Sequence, residues 1–509
     1  MKRNGGERRD SMKRMMRKGM GILVCMLLLV GMFSSSVLAE NNTTGKITIE
    51  KEGSTFTAYK ILDLKVQEGT SSYEVAVAEA FQSFINHSSY GSYTLNQLEA
   101  IGSNSEEAEK LALHLKSYVK DNKVLSDAQI HHNTPQEVEL GYYLILETAT
   151  DSTKPTVASK PILVSVPQSI QNADGQLEWK YNVTIKVKDS QADINKEIIV
   201  DDTGVNASTE QVNSTILYRI TAGVPKYSAD ATNIKYVMKD TLDKGLTFTE
   251  GTVKVYSIAG DEKTLVENVV TMNKVVNADG TTTVTLSFNY NRIKTLDEIC
   301  VEYEAVLNEN ALIGSVGNKN KVSLTYTNNP DQNSDYTTPD KEVVTYTYGL
   351  QLEKTDVDSK KALEGATFFI ENADKSYSKT VTTNANGIIH LSGLNEGTYT
   401  VKETKAPSGY ILANGEITVE IIANRGEDGS ITKGYQVKVG NDQATEASTT
   451  INKDGLTHIY GNLGITNQKG FNLPQTGGAG TWMFTLGGLF IITVALVIFI
   501  KSRKATRGE

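Results

Sequence analysis

Along most of the chain, apolar and polar residues alternate with a period of two, the pattern of strands that bury one face. Residues 46–50 (KITIE), 283–288 (TVTLSF) and 321–326 (KVSLTY) are clear cases, and clusters of Gly, Asn and Asp separate such runs. Residues 172–175 and 277–280 both read NADG and are expected to be turns, and Asn386-Gly387, between strand-like flanks, is expected to close a hairpin. A period nearer 3.6 occurs in one region, residues 74–85 and 103–119, where Ser103 and Glu106 have the spacing of a capping box. The pattern predicts an all-β molecule with small helical insertions confined to its first domain.

The two ends break this pattern. Eight Lys and Arg residues between Lys2 and Lys18 precede an apolar stretch at 20–33, followed by Ser34 to Ser36 and Val37-Leu38-Ala39. A basic region, a short apolar core and small residues in this order describe an export signal cut after Ala39. The core is too short to span a bilayer, which takes about 20 residues. At the other end, residues 482–500 carry no charge and run into Lys501, Arg503, Lys504 and Arg507. Basic residues stay on the cytoplasmic side, so the tail is expected inside and everything before the segment outside. Just ahead of it stand Leu473, Pro474, Gln475, Thr476 and Gly477. This LPQTG string resembles the sorting signal of sortase substrates, which are cut between Thr and Gly so that the Thr acyl group passes to an amine. The resemblance implies scission between Thr476 and Gly477, with Pro474 holding the backbone extended.

Between the ends lie about 430 residues, enough for about three domains. Net charge is −9, and without a basic patch or an aromatic-and-Arg stripe nucleic acid is not an expected partner. Of two cysteines, Cys25 lies in the export segment and leaves Cys300 alone, so no internal disulfide is available. Cys300, between Ile299 and Val301 on a strand, is expected to be buried and inert.

A repeated constellation marks the domains. Ile49-Glu-Lys51, Ile194-Asn-Lys196 and Leu352-Glu-Lys354 each put a lysine two residues after an apolar one, on the same buried strand face. Asparagines follow on strand-like runs about 110 to 130 residues later, a domain's length: Asn182, then Asn318 and Asn320, then Asn467. Burial disfavours an ammonium and lowers its pKa, leaving a neutral amine, which is a nucleophile. Beside an Asn carboxamide, and with a buried carboxylic acid to shuttle the proton and polarise the carbonyl, such an amine forms a Lys–Asn isopeptide bond and expels ammonia. The reaction turns over once and modifies the chain itself.

Residues 397–410 (GTYTVKETKAPSGY) resemble the E-box of Gram-positive pilins and CnaB-type domains, whose Glu promotes this reaction. The resemblance implies Glu403 as the acid for Lys354 and Asn467. Residues 236–246 (YVMKDTLDKGL) look like the segment that supplies a catalytic Asp in the middle domain of backbone pilins, which implies Asp240 acting on Lys196 and Asn320, with Asn318 a rival of the same parity. Residues 141–147 (GYYLILE) repeat the Gly-x-Tyr-x-x-x-Glu spacing of the E-box. Joining Lys51 to Asn182 is conceivable there, but a plain strand is the preferred reading.

Residues 179–188 (WKYNVTIKVK) resemble the pilin motif W-x-x-x-V-x-V-x-P-K, whose Lys attacks the sortase-bound Thr of the next subunit. Trp179, Val183 and Lys188 match in register, Ile185 is conservative and Val187 stands where the family has Pro, with Lys186 the weaker candidate amine. By this resemblance the chain is a sortase-assembled backbone pilin of tandem immunoglobulin-like β-sandwich domains (CnaA/CnaB-like). The expected divisions are 1–39 export signal, 40–188 first domain, 189–346 middle domain, 347–471 last domain and 472–509 sorting signal with membrane segment. Implied partners are pilus-specific and housekeeping sortases, further copies of the chain, peptidoglycan, minor pilins and host surface ligands. No cofactor is expected. The alternative is a monomeric wall-anchored adhesin, which needs no pilin lysine. An anchored enzyme fares worst, because the sequence holds no G-x-S-x-G, no metal-type His spacing and no phosphate loop.

Overall fold

The computed structural model describes residues 43–505 apart from 67–72, 102–104, 172–176, 189, 261, 315, 454 and 471–478. The expected export signal, Ser103 of the expected cap, the turn at 172–175 and the motif Leu473 to Gly477 lie outside the described residues. The molecule is mostly β and forms two compact units. One comprises residues up to 208 with 213–311 and 318–345, the other 209–212, 312–317 and 346 onward.

The first unit begins with a sheet built on the long strand Ser54–Val66, which lies between Tyr73–Val77 and Gly141–Thr150, with Ile162–Val166 beyond. Alternation along the central strands covers both faces. Phe56, Ala58, Tyr143 and Ile145 pack on a small sheet in which Thr44–Glu50 runs parallel to Asn182–Lys186. Ile61, Leu62, Tyr142 and Leu144 on the other face are covered by helix Ser105–Asn122, through Leu111, Leu115 and Tyr118, and by Phe81 and Phe84. The helix expected at 74–85 is absent. Its first half is the strand Tyr73–Val77, drawn into the sheet by pairing with the long strand at Leu62 to Val66, and only Glu79–Phe84 winds, as a 3-10 helix that puts Phe81 and Phe84 on one face. An unexpected helix, Leu95–Ala100, starts at a true capping box, with Thr94 Oγ1 accepting from the Gln97 amide at 3.3 Å and Gln97 Oε1 accepting from the Thr94 amide at 2.8 Å.

The rest of this unit is a sandwich of two antiparallel sheets. One contains Ile194–Val200, Thr215–Gly223 and Glu298–Leu307, and the other Tyr236–Leu242, Thr282–Phe288 and Asn318–Asn329. The turn at 277–280 closes the hairpin of Val270–Val276 and Thr282–Phe288, with Gly280 at φ +84°. A one-turn helix, Tyr290–Ile293, also sits in this part of the chain, so helices are not confined to the first domain. Cys300 is buried and unpaired among the described residues, and burial pushes its thiol up to about 11.

In the second unit, Tyr348–Asp356 lies parallel to Leu456–Asn467 and antiparallel to Ile388–Leu394. The facing sheet holds Thr367–Asn372, Gly397–Lys405, Glu416–Arg425 and Ile431–Val439. Tyr435 ties the parallel pair together. Its hydroxyl donates to the Gly349 carbonyl at 2.6 Å and accepts from the Gly461 amide at 2.8 Å. Gly461 has to be glycine for this approach, since a Cβ there would lie 2.1 Å from Val437 Cγ2. Asn386-Gly387 does turn the chain, with Gly387 at φ +71°, but it closes no hairpin. The strand before it, Ser378–Thr382, pairs with Thr367–Asn372, and the strand after it pairs with Tyr348–Asp356 in the other sheet. Such a dipeptide fixes the reversal; the flanking strands choose their partners by the faces they must bury. Helix Ala479–Ala505 carries exposed apolar side chains, and Thr481–Arg503 within it is long and apolar enough to cross a membrane.

Candidate functional sites

In the second unit the parallel register sets Lys354 opposite Ile465, and alternation brings Asn467, two residues on, to the same buried face. The Lys354 Nζ contacts Asn467 Oδ1. Glu403 reaches this pair from the facing sheet. Its Oε1 accepts from Asn467 Nδ2 at 2.9 Å and lies 3.5 Å from Lys354 Nζ, while its Oε2 accepts from the Ala413 amide at 2.8 Å. All three side chains are buried, and Phe368 stands under the amine. Burial pushes the Lys354 ammonium below its ordinary value, an effect that Glu403 only partly offsets. The arrangement presents an amine to a carboxamide carbonyl whose nitrogen is already held by an acid, the contacts that amide exchange requires.

The middle site has the same chemistry in another geometry. Lys196 extends from one sheet across the sandwich to Asp240 on the facing sheet, with Nζ to Oδ2 at 2.6 Å. Tyr303 lies at the centre. Its hydroxyl accepts from Lys196 Nζ at 2.9 Å and from Asn320 Nδ2 at 2.7 Å, and donates to Asp240 Oδ2 at 2.9 Å. Asn320, not Asn318, therefore shares a partner with Lys196; Asn318 Nδ2 donates to the Thr345 carbonyl at 3.1 Å. Burial lowers the Lys196 pKa and raises those of Asp240 and Tyr303, favouring neutral forms of all three. Asp240 Oδ1 and Asn320 Oδ1 are buried without partners among the described residues, and a proton on Oδ1 of Asp240 makes it a donor in a site short of donors. Sequence reasoning missed Tyr303. A tyrosine on a strand carries no spacing signal, and only the diagonal across three strands brings it to Lys196.

The first part of the chain differs. Lys51 is buried and donates to Glu147 Oε2 and to the Val157 carbonyl, both at 2.7 Å. Asn182 is not near it. That residue is exposed and lies opposite Lys46, five positions back along the parallel strands. Burial pushes the Glu147 carboxyl up, but the Lys51 ammonium together with the Ser159 amide and Thr150 hydroxyl holds it below the ordinary carboxylate value.

Of the other candidates, Val183 and Ile185 face inward on the strand Asn182–Lys186, which turns Lys186 and Lys188 outward. Lys186 lies 3.5 Å from Glu50, whereas Lys188 is exposed beyond the strand end and makes no ion pair among the described residues.

Residues 465–505 match the LPXTG cell wall anchor motif, residues 349–454 the SpaA prealbumin-like fold domain, and residues 212–330 the Cna-B-like domain of Gram-positive pilin backbone subunit 2. In sequence the chain is similar to the trypsin-resistant surface T6 protein of Streptococcus pyogenes serotype M6, at 29% identity over 72% of this chain and 79% of that one. It is also similar to the type 1 fimbrial subunit of Actinomyces viscosus, at 24% identity over 73% and 74%. The solved T6 backbone pilin of serotype M6 S. pyogenes, described as a modular three-domain structure, shares the fold with a TM-score of 0.51 at 24% identity, over 86% of this chain and all of that one. The sandwiches, the buried Lys–acid–Asn clusters and the apolar helix behind an LPXTG motif thus define a secreted surface protein anchored to the cell wall of a Gram-positive bacterium. Within that class, its matched domains and its relatives are those of the backbone pilins of Gram-positive pili.

Proposed function

We propose that this backbone pilin is polymerised head to tail by sortase, through attack of the Lys188 amine on the Thr476 acyl group of another copy, and that it is stiffened by two self-made isopeptide bonds. In the last domain the neutral Lys354 amine adds to the Asn467 carboxamide carbon. Glu403, which lies against both nitrogens, takes the proton that the attacking amine must lose and passes it to the departing nitrogen, so that ammonia leaves and a secondary amide remains. In the middle domain Asp240 does the same for Lys196 and Asn320. The observation that carries the reading is the buried contact among Lys354, Asn467 and Glu403, which serves no purpose as an ion pair that an apolar trio would not serve better. A tie of this kind is expected to make this chain resistant to trypsin, a trait named in a relative, because cleavage needs local opening.

Two measurements test it. Intact mass of the ectodomain is expected about 17 Da below the sequence value per bond, one ammonia each, and a full-mass protein rejects the bonds. Immunoblots of wall extracts are expected to show a high-mass ladder that Lys188→Ala removes while monomer stays on the wall. A ladder that survives moves the linkage to another lysine, and no ladder in either strain favours the monomeric adhesin.

A further inference from the structure

The Lys51–Glu147 pair is absorbed by neither crosslink. Its surroundings are built for charge. Glu147 Oε1 accepts from Ser54 and Thr150 hydroxyls at 2.7 Å each, and Oε2 from the Ser159 amide at 2.7 Å. Lys51 and Glu147 thus grip one short strap from both sides, the lysine by the Val157 carbonyl and the glutamate by the Ser159 amide. The residues between these grips point elsewhere. The Val157 amide donates to the Ser190 carbonyl at 2.8 Å, and the Ala158 amide to the Asn328 carbonyl at 2.6 Å. Ser190 follows Lys188 by two residues, and Asn328 is the penultimate residue of the strand Asn318–Asn329 in the sandwich that carries Lys196 and Asp240. Around the strap, Tyr326 donates to the Pro155 carbonyl and Asn329 Nδ2 to Thr150 Oγ1 at 2.9 Å.

We infer that Lys51 and Glu147 are positioning residues for polymerisation: a hydrogen-bonded ion-pair clamp that fixes the strap 157–159, and through it the chain segment presenting Lys188 to the acyl-sortase. The inference rests on the assignment of Lys188 as the acceptor. An ion pair suits this work because its donors and acceptors point outward to a backbone strap, whereas an isopeptide bond would consume the amine that holds Val157.

The test uses full-length protein in cells and its purified ectodomain, with hydrogen exchange at the Val157, Ala158 and Ser159 amides and the polymer ladder as readouts. Glu147→Gln is expected to speed exchange at these amides about tenfold by local opening and to thin the ladder severalfold. The double variant Lys51→Met with Glu147→Gln removes the unpaired charge and is expected to recover thermal stability. It is expected to recover neither strap protection nor ladder. Recovery of both in the double variant overturns the inference, reducing the pair to a stabilising one, as does unchanged exchange and ladder in Glu147→Gln. Lys188→Ala separates the two assignments: it is expected to keep strap protection and lose the ladder. A ladder that persists there rejects Lys188 as acceptor, and with it the positioning role, while exchange still judges the clamp.

Discussion

The regions around Lys51 and Lys354 present the same pair, a buried lysine on a strand that runs parallel to another strand, or just past the end of one, and a glutamate at the end of a Gly-x-Tyr-x-x-x-Glu run. They differ in the carbonyl the lysine meets. In the last domain it is the Asn467 carboxamide, which carries a leaving group and is held by the same acid. In the first it is the Val157 backbone carbonyl, and Glu147 is occupied by two hydroxyls and an amide. Burial without compensation prepares a nucleophile; burial with a full set of hydrogen bonds prepares an ion pair. The pair alone does not define a crosslink, and the third residue with the acid's own partners decides.

The largest expected effect comes from cutting the tie in the last domain. Glu403→Ala is expected to restore about 17 Da of ammonia to the intact mass. Losing a link that spans 113 residues is expected to cost about 5 kcal/mol by chain entropy, seen as a fall in melting temperature of roughly 20 °C or more. Lys51→Ala is expected to change the mass only by the substitution, yet to destabilise the first domain by roughly 3 kcal/mol in urea unfolding, because Glu147 is left buried and unpaired. An additional ammonia deficit mapping to Lys51 would erase the contrast between the domains.

Acid sharpens the comparison further. The Glu147 carboxyl sits below its ordinary value of 4.5 in the folded protein, so its contribution is present above pH 4.5 and is lost as pH falls through the lower folded value. Segment-resolved hydrogen exchange is expected to show the first domain loosening over that range. The last domain, whose Lys354 nitrogen is an amide once the bond has formed, is expected not to follow. Smallest in energy is Tyr303→Phe in the middle domain, at about 1 kcal/mol for the hydroxyl. Its signature is expected in the mass spectrum, as coexisting bonded and unbonded species that report a slowed reaction.

Much of this was legible in the sequence where chemistry and periodicity coincide. A lysine in phase with apolar neighbours has to face a core, and Lys51, Lys196 and Lys354 all do. The E-box residue Glu403 likewise stands at Lys354. What periodicity does not carry is choice of partner. Residues 74–77 scan as a helix as well as a strand, and only the free edge of Ser54–Val66 decides. Asn386-Gly387 reverses the chain without saying which sheet receives the next strand, and Tyr303 enters its site by a diagonal that no spacing along the chain encodes.

The parallel pairing of Tyr348–Asp356 with Leu456–Asn467 bears on how long a surface fibre is. The chain enters the last domain at one end of the pair and leaves at the other. Without a tie, the chain from Lys354 to Asn467, a separation of 113 residues, holds roughly 400 Å of slack that force along the chain would draw out of every subunit. With Lys354 joined to Asn467, as proposed, that length is withheld, and a fibre of such subunits would keep its length as the shear rises.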